Sequence, residues 1–309
     1  VVWYIAAIPM NWVVTAPKIE TAGGGLSNIL SFSWNDARPV IPAPHQIAAE
    51  LWKSVFTVAP WMPKSLLYHG WVTLSSTLLG FVLGSLLGIV LAIAIVHVNF
   101  LSKSLMPWII ASQAIPILAI APMVIVVLGS LGFTGLLPKS LISMYLCFFP
   151  VTIGMVKGLT SPEVMQLDLM RTYHASTSQV LWKLRFPASV PFLFTSLKVA
   201  VAIALTGAIV GELPTGAIAG IGARLLQGSY YGQTVQIWAA LFMGSFLAAA
   251  LVWLVLSSLL ALVTSIQLHT PSFLADCSAL THGRAQALRE TAFLYGWAGN
   301  AGVGLGLWI

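Results

Sequence analysis

Charge is what this chain has least of. Only 7% of its 309 residues are Asp, Glu, Lys or Arg, and 58% are hydrophobic; a soluble domain carries about a quarter charged residues. So few polar groups do not cover a water-facing surface, which excludes an ordinary soluble fold and puts the chain in a bilayer. Acidic residues are scarcer than basic ones, eight against fourteen, for a net charge of +6. The basic residues stand singly between apolar runs, which excludes a nucleic-acid face and fits side chains flanking membrane spans. Of two cysteines, Cys147 lies within an apolar run and Cys277 in the C-terminal tail. Their different depths argue against a disulfide or a metal site. His45, His69, His97, His174, His269 and His282 fall in loops, at span ends or in the tail, and none forms H-E-x-x-H. No pair of carboxylates falls within a span, so the converging ionisable groups of an intramembrane enzyme are missing. No residue is assigned a catalytic or metal-binding role.

What remains is apolar and organised. Runs at about 71–96, 105–130, 136–156, 189–211 and 236–264 are each long enough to cross a ~30 Å hydrocarbon layer as a helix. Residues 1–14, VVWYIAAIPMNWVV, are read as the end of a further membrane helix, which makes six spans. Residues 15–69 form an external loop holding one amphipathic helix, PAPHQIAAELWKSVF (42–56), with Ile47, Leu51 and Val55 on one face. The core is 70–264, and 265–309 is a tail. Its end, AFLYGWAGNAGVGLGLWI (292–309), is apolar but Gly-rich, a composition that leaves membrane insertion open.

Loops 97–104 and 157–188 hold Lys103, Lys157, Arg171, Lys183 and Arg185; those opposite hold Lys139 and Arg224. Five against two puts the first set in the cytoplasm. Gly80, Gly84 and Gly88 form a small-residue stripe that lets two helix backbones approach closely. In QAIPILAIAP, Pro116 and Pro122 fall mid-span, each removing a backbone donor. With Ser112 and Gln113 just before them, this span is expected to line a cavity.

The wettest stretch near the core is MRTYHASTSQVLWKLRFPASVP, 170–191. Ser161-Pro162-Glu163 reads as the start of a helix that runs to about Tyr173. His174 then takes a left-handed conformation, and Ser176 caps a second short helix with Gln179 as capping-box partner. Phe186-Pro187 should end it, and Ser189-Val190-Pro191 should open the next span. Such an elbow fits a groove on another protein, or rests on lipid headgroups with Trp182 as an interface anchor.

In order, the chain has an amphipathic helix after P-x-P, a Gly-striped span, I-P-x-L-A-x-x-P, an elbow ending F-P-x-x-x-P, V-G-E-L and G-I-G. Over roughly 40–264 this resembles the membrane subunit of binding-protein-dependent ABC importers, in the nitrate/sulfonate/taurine and pyrimidine-precursor branch. The resemblance implies an all-α type I importer permease fold of about six transmembrane helices. It makes the elbow a cytoplasmic coupling loop (157–188) that docks on an ATP-hydrolysing subunit through Asp168, Met170, Arg171, His174, Ala175, Ser176, Trp182 and Pro187. The loop's acid–Ala–Ala positions read Asp168-Leu169-Met170 here, and its glycine is His174. Ser112, Gln113, Pro116, Pro122 and Glu212 would line the pathway, and Gly220 and Gly222 would lie at the external mouth.

The implied partners are two ATP-binding subunits, a second permease chain (a copy or a paralogue), a periplasmic or extracellular solute-binding protein, and membrane lipid. No cofactor is expected on this chain. It has no G-x-x-x-x-G-K-[ST], so ATP and magnesium would be held by the partner. The alternative is a secondary transporter driven by an ion gradient, which predicts charges buried mid-span and an inverted repeat.

Overall fold

The computed structural model describes residues 2–214, 218–269 and 282–294, and among them every regular element is helical. Helix α1 (Val2–Thr21) runs to Thr21 rather than ending at 14. Gly23, Gly24 and Gly25 follow at φ 88°, 62° and 135°. Three successive residues on the positive side reverse the chain within one turn, which glycine alone does without strain. Helix α2 (Leu26–Asn35) returns against α1, and α3 (Pro44–Trp52) follows, with Ile47 buried as the amphipathic reading requires.

This N-terminal unit is pinned by polar groups. The fully buried Asn11 amide donates to the carbonyls of Ser33 and Ile41, and its oxygen accepts the Ile41 N–H, all at 2.9 Å. Lys18 pairs with the buried Asp36 carboxylate at 2.5 Å. Most of the segment expected as an external loop is therefore ordered helix.

Helix α4 (Leu66–His97) is the first long apolar helix. It is followed by α5 (Asn99–Ala111), a 3-10 turn at Ser112–Ala114, and α6 (Ile117–Ser130). The axes of the last two helices differ by 100°. The sequence suggested one span with two kinks, but the chain breaks at Pro116 and continues as helix through Pro122. The proline ring disfavours the α conformation in the residue before it, and Ile115 is extended at ψ 121°.

Helix α7 (Leu136–Leu159) lies at the centre, flanked by α4 and by α10 (Phe186–Glu212). Small residues make both contacts close. A Cβ added at Gly80, Gly84 or Gly88 would lie 2.7–2.9 Å from the carbonyls of Ser140, Met144 and Phe148 on α7. On the other flank, one at Gly207 would lie 2.9 Å from Ser143 Cα. Lipid tails are as apolar as the helices, so close backbone packing and hydrogen bonds such as Ser143 Oγ to the Ala204 carbonyl (2.5 Å) hold the bundle.

Helices α8 (Val164–Thr172) and α9 (Thr177–Val180) build the elbow. Its second arm does not stop at Pro187, as the sequence suggested. From α9 the chain passes through a π turn, Leu181–Arg185, into α10, so Thr177–Glu212 is one helix of 36 residues. Pro187 sits in the first turn of α10. The wider π turn before it moves the carbonyls that its ring would strike in a regular helix.

Helix α11 (Ile221–Tyr230) precedes the long α12 (Thr234–His269), against which α13 (His282–Thr291) packs. Trp3 meets Trp238 edge-on at 5.1 Å, and the Thr234 hydroxyl donates to the Pro39 carbonyl, so α12 carries the N-terminal unit. Among the described residues, four helices are long and apolar enough to cross a membrane, or five if α5 and α6 form one broken span. The end of the tail, 295–309, lies outside the described residues.

Candidate functional site: an elbow and a buried carboxylate at opposite ends of one helix

At the elbow, α8 ends in a Schellman motif. His174 has φ 50°, the sole positive value at a non-glycine among the described residues. The His174 N–H reaches the Arg171 carbonyl at 2.9 Å, and the Ala175 N–H reaches that of Met170 at 3.0 Å. Ser176 then caps α9, accepting the Gln179 N–H at 3.3 Å while its own N–H donates to the Gln179 side chain at 2.8 Å. The entry to α8 differs from the expectation. The cap is Glu163, whose N–H donates to the Gln166 side chain at 3.2 Å, and the Ser161 hydroxyl turns back to the Gly158 carbonyl. The helix start moves two residues because Ser161 satisfies the end of α7 instead.

No residue of α8 is buried. Val164, Met165, Leu169 and Tyr173 are more than half exposed, as is Trp182 in the π turn. Asp168 and Arg171 form an exposed pair at 3.0 Å, a contact that contributes little in water. Asp168, Met170, Arg171, His174, Ala175, Ser176, Trp182 and Pro187 thus share one end of the molecule. Arg185 ties that end to α7 through the Leu159 carbonyl at 3.4 Å.

At the other end of α10, Glu212 is completely buried. Its carboxylate accepts the Thr73 hydroxyl from α4 at 2.9 Å and the Gly222 N–H from α11 at 2.9 Å. Lys139, in the first turn of α7, lies 3.7 Å from it and donates to the Ala219 carbonyl at 2.7 Å. Thr73 also accepts the Ile221 N–H at 2.9 Å. His69 accepts the Gly220 N–H on Nδ1 at 3.0 Å, and its Nε2 faces the Pro63 carbonyl at 2.9 Å. That pair of contacts requires the tautomer protonated on Nε2.

The chemistry of this knot is that of a helix cap supplied from elsewhere. α11 begins after Gly220, which has no side chain to satisfy the first free N–H groups. Thr73 and Glu212 satisfy them instead, and the carboxylate lies at the positive end of the α11 dipole. Gly220, at φ 132°, and Gly222 let the turn approach, since a Cβ on Gly222 would sit 2.8 Å from that of Glu212. A buried carboxylate is tolerable only with such partners.

The sequence reading grouped Glu212 with the pathway and set the end of its span beside the Gly220 and Gly222 turn; in the structure the carboxylate is enclosed by protein and bonded to Gly222 beside Gly220. Ser112, Gln113 and Pro116 lie at the α5–α6 break and are no part of the knot; the Ser112 carbonyl accepts the Tyr145 hydroxyl from α7 at 2.8 Å. Thr73 and Lys139 were missed as partners of Glu212, and His69 as the acceptor of the Gly220 N–H. The available signal was a polar face, His69, Thr73 and Thr77, four residues apart at the head of an apolar helix. Lys139, read as a loop charge, is instead buried within α7.

Residues 84–268 match the sequence profile of the family described as "Binding-protein-dependent transport system inner membrane component". The chain belongs to that family. It is a multi-pass permease subunit of an ABC importer, a transport component and not an enzyme, in a system that includes ATP-binding and solute-binding proteins. It is 33% identical over 202 residues to a probable ABC transporter permease protein of Haemophilus influenzae, covering 65% of this chain and 77% of that one. It is 30% identical to the riboflavin transport system permease protein RibX of Chloroflexus aurantiacus, over 60% of this chain and 65% of the relative. Identity to the formylaminopyrimidine transport permease protein ThiX of Halalkalibacterium halodurans is 28%, over 60% and 72%.

Proposed function

We propose that this permease pairs with a second permease chain and two ATP-binding subunits, with its elbow docked in the cytoplasm in a groove of one ATP-binding subunit. The observation that carries this reading is α8: a capped helix with Val164, Met165, Leu169 and Tyr173 exposed and none of its residues buried. Apolar side chains held on a fixed corner outside the bundle suit a protein groove. ATP and magnesium are bound by the partner, and the solute reaches the opposite face on its binding protein. The α5–α6 break, with Ser112, Gln113, Pro116 and Pro122, lines the pathway, because backbone freed at membrane depth needs protein or a wet cavity beside it. The cargo is a small heterocyclic solute, in line with relatives named for riboflavin and formylaminopyrimidine transport.

The test is disulfide trapping in the assembled complex. Cysteines at Leu169 or Tyr173, paired with cysteines along the groove of the cognate ATP-binding subunit, should crosslink and block ATP hydrolysis until reduced. Crosslinking from the Gly220 turn instead of from α8 would reverse the orientation and remove the elbow from the coupling path.

A further inference from the structure

The elbow and the knot are the two ends of one continuous helix. Thr177–Glu212 spans roughly 54 Å at ~1.5 Å per residue. Its first residues follow directly on the Schellman corner, and its last holds α11 by the N-terminus. The Glu212 carboxylate bridges α10 and α11 in one 2.9 Å hydrogen bond to Gly222. The same carboxylate holds Thr73 on α4 and faces Lys139 on α7.

We infer that Glu212, with Thr73 and Lys139, is a positioning joint that transmits displacement of the elbow along α9–α10 to the Gly220–Gly222 turn and α11. This rests on the reading above that the elbow meets the ATP-binding subunit. The case for a joint rather than simple cement comes from the chemistry chosen. Well-packed apolar side chains usually hold a buried contact as well as an ion pair does, because desolvation offsets the attraction. Elsewhere α4, α7 and α10 pack closely through Gly, Ala and Ser, with isolated hydrogen bonds such as Ser143 Oγ to the Ala204 carbonyl and no ion pair between them away from the knot among the described residues. Directional bonds are concentrated where α10 meets the start of α11. A carboxylate that accepts from two helices and faces the ammonium of a third moves them together and releases them together. Apolar packing would let α11 slide.

The experiment uses the full complex in proteoliposomes, with Cys277 replaced by Ser and a single spin label at Ser178 on the elbow or at Tyr230 on α11. Both positions are exposed, and Cys147 is buried. The probes are ATP and vanadate. In the unmodified joint, both labels should change mobility on trapping. In Glu212→Gln the elbow label should still respond, while the α11 response falls about tenfold, the size of a typical coupling between sites. Thr73→Val should behave the same way, and Thr73→Ser, which keeps the hydroxyl, should restore the α11 response. If Glu212→Gln and Thr73→Val respond as the parent does at both labels, the joint is refuted. If both variants fail to assemble with the ATP-binding subunits, the knot is cement only, and the proposal is equally refuted. A parent complex whose elbow label ignores ATP and vanadate would overturn the docking reading first, and the joint with it.

Discussion

Thr73 and Glu212 stand 139 residues apart in the chain and meet at 2.9 Å, hydroxyl to carboxylate, with neither side chain exposed. Their contact sets the start of α11 as much as any residue of α11 does. It also makes the pair sensitive to its third member, Lys139.

Lys139→Met should therefore destabilise the protein by about 3–5 kcal/mol, because it leaves a buried carboxylate without its cation. Glu212→Gln combined with Lys139→Met removes both charges and should recover more than half of that loss. A double-mutant cycle on thermal unfolding in detergent reads the difference. Additive losses would mean that the two groups do not interact.

Gly80→Val places a branched side chain where a Cβ alone would lie 2.7 Å from the Ser140 carbonyl. Helices α4 and α7 must separate, at a cost of about 1–3 kcal/mol from overpacking. Purified yield and melting temperature should both fall. Gly129→Val, where nothing lies within 4 Å of the added Cβ, is the control and should leave both near the parent value.

His174→Gly removes the left-handed strain at the α8 corner, worth about 1 kcal/mol. Proteolysis of the native elbow should slow by about fivefold. His174→Val, β-branched at the same φ, should speed it. Equal cleavage in both variants would show that the corner is held by its surroundings and not by residue 174.

Asp36 lies below the usual carboxylate range. Burial pushes it up, but the Arg38 N–H, the Lys18 ammonium and the Ala37 N–H outweigh that effect. A carboxyl lowered on folding stabilises the folded state at pH above its unfolded value near 3.8, and that stability is lost as pH falls through the folded value. Acidification below pH 3.8 should loosen α1 from α2, read as faster hydrogen exchange around Ser33 and Ile41. Asp36→Asn should exchange fast at neutral pH and show less acid dependence.

Membrane residence and the elbow corner were readable from the chain alone, and for one reason. Both arise from interactions within a few residues: apolar runs long enough to span, a left-handed residue closing α8, and Ser176 with Gln179 opening α9. Such effects leave a local pattern. Three features required the folded molecule: the continuation of α9 into α10 through Pro187, the 100° break at Pro116, and the enclosure of Glu212. A proline kinks, breaks or joins a helix according to the backbone and partners around it, and composition does not encode those. A glutamate at the end of an apolar run looks the same whether it faces water or a lysine from another helix. Only packing brings Thr73, Lys139 and Gly222 to it, and with them the desolvation that makes the carboxylate a structural tie.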